Sequence, residues 1–147
     1  MNQNIFNIIC KKCGGKCCKN HYIFLIKKES NRLLKQGLKF KYKKEGPGFL
    51  MDSTNGCKFL NKKTGCKLNN RLKPFDCWLY PLAFIYKNKV LNFYLIKSCA
   101  YYKKIDQTRL NKTKVQMRRK LKKWAEREKI TYSNIIENYS KKELLKI

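Results

Sequence analysis

Eight cysteines are the residues of this 147-residue sequence whose type and spacing could do chemistry. Four of them fall within nine residues, and the other four are spread singly over the next part of the chain: Cys10, Cys13, Cys17, Cys18, Cys57, Cys66, Cys77 and Cys99. Thiolate sulfur is a strong ligand for zinc and for iron. Two cysteines separated by two residues can turn both sulfurs toward one ion. The pattern predicts a metal centre with all eight cysteines as ligands.

The adjacent pair Cys17 and Cys18 bears on which metal is bound. Neighbouring side chains on an extended backbone point to opposite sides. We therefore expect the two sulfurs to reach two different ions, or different iron atoms of one cluster. This favours iron or an iron–sulfur cluster, with zinc as the alternative.

Glycines stand beside several of the cysteines. Gly14 and Gly15 follow Cys13, while Gly56 and Gly65 directly precede Cys57 and Cys66. Because glycine adopts positive φ without steric cost, these positions predict tight turns that resemble metal-binding knuckles.

Three further side chains could complete a metal site. His21, the single histidine, lies three residues after Cys18 and could bind the metal, donate to a sulfur, or serve a structural role. The carboxylates of Asp52 and Asp76 could bind iron, or they could cap turns.

The net charge of +27 comes from 36 basic and 9 acidic residues. Such a charge favours contact with an anionic partner, including nucleic acid. A basic run near the end of the chain could follow a phosphate backbone, or it could be a solvated helix face. It consists of Lys112, Lys114, Arg118, Arg119, Lys120, Lys122, Lys123 and Arg127.

The apolar segments are short. The longest, from Trp78 to Tyr86, contains Pro81 and is far below the roughly 20 residues that span a bilayer, so we expect no membrane insertion. Asparagines interrupt the only candidate secretory signal, which indicates a cytoplasmic location. A reducing cytosol favours thiolate ligands over the alternative of four disulfides.

The elements that must position the cysteines can be predicted from apolar spacing and turn residues. We expect a helix over 26–36 ended by Gly37, a strand at 49–51, a hairpin of 58–60 with 67–68, and a second hairpin of 82–86 with 90–96. Leu110, Met117, Leu121 and Trp124 form one helical stripe, and Ile135, Ile136, Tyr139 and Leu144 continue it in a final helix after a break near Thr131.

These elements predict an α+β fold, namely a small cysteine-rich metal-binding domain with short antiparallel hairpins and a C-terminal helical pair. Residues 1–102 would form the cysteine-cluster domain. Residues 103–147 would form basic helices packed on it, so that the chain is a single structural unit.

An ordered set of motifs resembles a known family. The set is Cys10-x2-Cys13-x3-Cys17-Cys18, Gly56-Cys57-Lys58-Phe59-Leu60, Gly65-Cys66-Lys67-Leu68, Lys73-Pro74-x2-Cys77 and Tyr80-Pro81. It resembles the YkgJ-type cysteine-cluster family of zinc- or iron-chelating domains, which is shared with flagellin lysine N-methylases. The family more often has Arg-Pro where this chain has Lys73-Pro74.

The resemblance implies a metal-binding protein of unassigned biochemical role, with redox or protein-modification chemistry as the expected class. A zinc-stapled basic module that binds nucleic acid is one alternative. A methyltransferase component like the lysine N-methylases is another, although the sequence has no glycine-rich loop typical of methyl-donor binding.

Overall fold

A computed structural model describes residues 22–53, 55–61, 63–99, 101–140 and 143–147, with the backbone alone at 139 and 140. The chain divides into two units, which meet in sequence between Trp78 and Leu79. We call them unit 1 and unit 2. Both combine helices with antiparallel sheets, which confirms the α+β class. The expected division into 1–102 and 103–147 stays a prediction, because it concerns which residues form the metal domain.

Unit 1 is built on a three-stranded antiparallel sheet. Its elements are strand β1 (Tyr22–Ile26), helix α1 (Lys27–Lys35), strand β2 (Tyr42–Glu45) and strand β3 (Gly48–Asp52), and the strand order is β1-β3-β2. Strand β3 contains the predicted strand, whereas β1 and β2 were not predicted. Ile23 and Leu25 of β1 are buried with Leu33 of α1, Met51 of β3 and Phe59.

Helix α1 forms where the sequence predicts it. Its end is a turn in which Gly37 adopts a φ of +70°, and the Leu38 N–H donates to the Leu33 carbonyl at 3.1 Å. This arrangement satisfies a carbonyl that the last helical turn leaves open. At its start, the Ile26 N–H donates to the Glu29 carboxylate at 3.1 Å, so the third helical residue caps the helix.

Gly48 marks a close approach between β1 and β3. A Cβ atom built there would lie 2.5 Å from the Leu25 carbonyl oxygen and 2.7 Å from the Phe24 ring. Real Cβ atoms essentially never come this near to other atoms, and the backbone oxygen cannot rotate away. The strand pairing therefore depends on glycine at this position.

Gly48→Ala is accordingly expected to destabilise the protein by about 2 kcal/mol, as overpacked cores do. The measurement is urea unfolding of both proteins. Gly37→Ala is the matched control, because it forces a positive φ but has no heavy atom within 4 Å of the new Cβ. The control should lose only about 1 kcal/mol, and equal losses in the two variants would contradict the steric explanation.

The remainder of unit 1 consists of short elements. Strands β4 (Leu60–Asn61) and β5 (Gly65–Cys66) form a hairpin where one was predicted, but their strands are shorter and lie closer to the turn than the predicted 58–60 and 67–68. Helix α2 covers Phe75–Leu79, whose last residue belongs to unit 2. The Asn61 side-chain oxygen accepts hydrogen bonds from the Lys63 and Thr64 N–H groups at 2.8 and 3.1 Å. This asparagine closes the hairpin turn.

Unit 2 contains the second predicted hairpin, which is confirmed. Its strands are β6 (Leu82–Lys87) and β7 (Val90–Ile96), joined by Asn88 and Lys89, both with positive φ. Two such residues match the twist of a two-residue hairpin turn. Helices α3 (Gln107–Leu121) and α4 (Glu126–Ser140) follow, and strand β8 (Leu144–Lys146) extends the sheet in the order β6-β7-β8.

The core of unit 2 uses the predicted stripe, since Leu110, Met117, Leu121 and Trp124 are all buried. Phe84 of β6 stacks on Tyr132 with ring centroids 4.3 Å apart and meets Trp124 edge-on at 6.0 Å. Helix α4 therefore packs on β6 through aromatic rings.

Two details of the final helix were predicted wrongly. Thr131 does not mark a break, because it lies inside α4 and its hydroxyl donates to the Arg127 carbonyl at 2.8 Å. The break falls before Glu126, where the Glu128 carboxylate accepts from the Ala125 N–H at 2.7 Å. Leu144 lies not in a helix but in β8, paired with Ile96. The side chain of Tyr139 lies outside the described part.

Within the described ranges, no helix is both long enough and apolar enough to cross a membrane.

Candidate metal centre

The structure describes four of the eight predicted ligands: Cys57, Cys66, Cys77 and Cys99. The first three belong to unit 1 and Cys99 belongs to unit 2. The other predicted ligands, Cys10, Cys13, Cys17 and Cys18, lie outside the described residues, as does His21.

Cys57 follows a turn that only glycine adopts readily. Gly56 has a φ of +93°, and its N–H donates to the Ser53 carbonyl at 2.9 Å. The Cys57 carbonyl then accepts from the Leu60 N–H at 3.0 Å, which leads the chain into β4. The predicted positive φ before this cysteine is confirmed, and the thiol is half-buried.

Cys66 stands in an equivalent local setting. Gly65 has a φ of +85°, and Cys66 pairs with Leu60 across the β4–β5 hairpin. The next residue, Lys67, donates its N–H to the Phe59 carbonyl at 2.7 Å. One short hairpin therefore carries Cys66 and is joined directly to the Cys57 turn. Unlike Cys57, the Cys66 residue is exposed.

Cys77 lies in α2, which is short but anchored on its N-terminal side. An asparagine turn precedes it, in which the Asn69 side-chain oxygen accepts from the Arg71 and Leu72 N–H groups, each at 3.0 Å. The buried Pro74 then offers its carbonyl to the Trp78 N–H at 2.9 Å. The Lys73-Pro74-x2-Cys77 motif is thus a turn followed by one helical turn.

Two carboxylates connect α2 to the first elements of unit 1. The Phe75 N–H donates to the Glu29 carboxylate at 2.8 Å, and the Phe24 N–H donates to the Asp76 carboxylate at 2.9 Å. This hydrogen bond of Asp76 reaches a strand 52 residues away and is not a turn cap. Asp52 is exposed at the end of β3. Metal binding by either aspartate stays a prediction.

Glu29 was missed as a functional residue. It is buried, and burial raises the pKa of its carboxyl from 4.5 to about 7, although the backbone N–H groups of Phe75 and Ile26 act in the opposite direction. The signal that could have drawn attention to it is a glutamate at the third position of a predicted helix, where capping residues are common.

Cys99 lies just after β7 in unit 2. Its N–H donates to the Ile96 carbonyl at 3.2 Å, and its carbonyl accepts from the Tyr102 N–H at 3.1 Å. The residue is half-buried in this turn.

Cys57 and Cys77 are brought onto the same hydrophobic cluster, since both pack against the buried core of unit 1. No disulfide joins any of the four described cysteines to another. Across the described ranges, no three cysteine, histidine, aspartate or glutamate side chains form a group that could hold a metal.

A cleft of about 470 Å³ lies beside Cys57. Lys39, Lys41 and Lys58 line it together with Asp52. The Lys58 ammonium donates to the Lys39 carbonyl at 2.6 Å, which holds this side chain at the cleft. The surroundings of Cys57 are therefore open to solvent and basic.

The predicted basic surface is exposed except at Lys114, which is half-buried. It is not confined to one helix, because Lys122 and Lys123 lie after α3 and Arg127 lies in α4. The Arg118 guanidinium lies over the Phe93 ring at 4.8 Å. Between side chains that the structure describes, the one ion pair is Arg109 with Asp106 at 3.9 Å. An anionic partner for this surface stays a prediction.

A family model matches residues 9–112, which include all eight cysteines and most of the chain. Its family is CxxCxxCC, described as a zinc- or iron-chelating domain. The chain belongs to this family. The match confirms the resemblance seen in the sequence and supports a metal cofactor. The CxxCxxCC name has two residues between the second and third cysteines, whereas this chain has three, Gly14 to Lys16. No curated protein and no solved structure matches the chain significantly.

The four described cysteines supply thiol donors of the kind that a zinc- or iron-chelating domain needs. Soft thiol donors suit zinc and iron better than magnesium or calcium. Cys57 and Cys77 are half-buried where they pack against an apolar cluster, and Cys57 also borders the solvent-open cleft. The described thiols could therefore hold part of a zinc or iron site.

Proposed function

We propose that the chain is a thiolate metal protein that binds iron, as separate ions or as an iron–sulfur cluster, for redox or protein-modification chemistry. The observation that carries this proposal is the pair of Gly-Cys turns. Gly56 and Gly65 both adopt positive φ immediately before a cysteine, as metal knuckles require. Membership of a zinc- or iron-chelating family supports the choice of a metal.

The proposed ligands are Cys10, Cys13, Cys17, Cys18, Cys57, Cys66, Cys77 and Cys99. Eight thiols exceed the four that one tetrahedral zinc ion needs, and the adjacent Cys17 and Cys18 suit two metal atoms better than one. Bound iron would supply one-electron chemistry or Lewis acidity. The chain itself provides the thiolates and packs Cys57 and Cys77 against an apolar cluster.

Anaerobic purification of the full chain tests the proposal. We expect a brown protein with broad visible absorption and bound iron, and acid-labile sulfide in addition if the iron forms a cluster. A colourless protein with stoichiometric zinc would leave the thiolate site standing but exclude iron as its metal. A protein that holds neither metal would refute the proposed function. Elemental analysis and visible absorption distinguish the three results.

A further inference from the structure

Glu29 is a buried carboxyl group that the proposed metal chemistry does not use directly. Only 8% of the residue is exposed. Its two oxygens accept from two different segments: one from the Ile26 N–H at 3.1 Å, at the start of α1, and the other from the Phe75 N–H at 2.8 Å, at the start of α2. One side chain therefore joins the start of α1 to the start of α2, the helix that carries Cys77.

Asp76 makes a second connection in the opposite direction. Its carboxylate accepts from the Phe24 N–H of β1 at 2.9 Å. The two residues before Cys77 are thus both tied to the β1–α1 segment, Phe75 through its backbone and Asp76 through its side chain. Helix α2 has only five residues, and a helix this short does not hold itself in place. These connections hold its position together with the packing of the buried Phe75 and Leu79.

A third contact joins α1 to the segment before α2. The Arg32 guanidinium donates to the Arg71 carbonyl at 2.9 Å. Glu29 and Arg32 lie one helical turn apart on α1. Arg32 contacts Arg71 and Glu29 contacts Phe75, so α1 holds the segment before Cys77 at two points. Of the three hydrogen bonds, only the one that Phe75 donates to Glu29 is buried. A buried hydrogen bond is shielded from competing water.

Helix capping alone does not account for Glu29. A capping glutamate needs one oxygen for the N–H at the helix start. Glu128 plays that role for α4, where its carboxylate accepts from the Ala125 N–H at 2.7 Å in an exposed setting. Glu29 uses its other oxygen for α2, and burial of a carboxyl group has a free-energy cost that an exposed cap avoids.

We propose that Glu29 is a positioning residue for the metal centre, holding α2 so that the Cys77 sulfur stays in the geometry required to bind the metal. This inference rests on the proposed function. Residues that orient ligands without touching the metal commonly change metal affinity by about 10- to 100-fold when they are replaced. Glu29 would act on the metal only through Phe75 and Cys77.

The test is Glu29→Gln in the full chain. Glutamine has one acceptor oxygen, so it can satisfy only one of the two N–H groups. Wild type and variant are purified anaerobically, and the metal that each retains is titrated with EDTA while visible absorption is followed. We expect the variant to bind its metal about 10- to 100-fold more weakly in this titration than the wild type. Its visible absorption band should also change. Glu128→Gln is the matched control and should behave as wild type.

Several results would overturn the inference. They include wild-type affinity and absorption in Glu29→Gln, or an equal loss in Glu128→Gln, which would indicate a general effect of weaker capping. If circular dichroism shows that Glu29→Gln does not fold, Glu29→Asp replaces it. This variant keeps a carboxyl group but is one methylene too short to reach both N–H groups, and wild-type affinity in it would likewise count against positioning. A wild-type protein that binds no metal would instead defeat the proposed function, and the inference with it.

Discussion

Replacement of Cys77 by serine is expected to release most of the bound metal and to destabilise the protein. A serine hydroxyl is not ionised at neutral pH and is a poor ligand for a metal that thiolates bind. Metal binding and folding are coupled in thiolate-rich domains, so the loss should also appear in unfolding. We expect metal content below about one tenth of the wild-type value and a loss of more than about 3 kcal/mol in stability.

The measurements are metal per mole of protein and the free energy of unfolding in urea. Val115→Ser is a suitable control, because it also introduces a serine but at a position far in the sequence from any predicted ligand. Val115 is half exposed on α3. This control should change stability by no more than about 0.5 kcal/mol. Cys13→Ser should behave like Cys77→Ser. If both cysteine variants keep their metal and their stability, those two cysteines are not ligands.

The contribution of Glu29 to the stability of the wild type should fall as pH rises from 5 to 8. Its pKa is about 7 in the folded protein and ordinarily 4.5. Between these values the folded state binds the proton more tightly than the unfolded state, so the contribution is greatest in acid and is lost as pH rises through 7. From the two pKa values, the change between pH 5 and 8 is on the order of 2–3 kcal/mol.

Glu29→Gln removes this group, so the comparison isolates it. The free energy of unfolding is measured for both proteins at each pH in the same metal-containing buffer. With metal in excess over both dissociation constants, the cysteines release the same protons in both proteins, and this contribution cancels in the difference between them. The wild type should therefore lose on the order of 2–3 kcal/mol relative to the variant across this range. Parallel pH profiles would show that burial does not raise the pKa of this carboxyl.

Helix ends and tight turns could be predicted from the sequence because each depends on one or two neighbouring residues. Gly37 ends α1, and the residues flanking Asn88 form the expected hairpin. The same holds for Gly56 and Gly65, whose positive φ values were predicted from their place before cysteines. In each case, one residue type determines the backbone conformation over a few neighbours.

The parts that were missed depend on contacts between distant segments. Strand β8 contains only three residues, and Leu144 is extended because it pairs with Ile96. Glu29 acquires its role from Phe75, 46 residues away. Helical periodicity carries no information about either partner. The family match could be anticipated from cysteine spacing, whereas the choice between iron and zinc depends on chemistry that spacing does not determine.

Strand β2 has a consequence for self-association. Among the described strands of unit 1 it lies at the edge of the sheet, and its residues Tyr42, Lys43 and Lys44 are exposed. An outer strand offers unpaired backbone groups to which another chain can add by strand pairing. Two adjacent ammonium groups on β2 would meet the same charges on an incoming copy, and their repulsion opposes growth of the sheet from one molecule to the next.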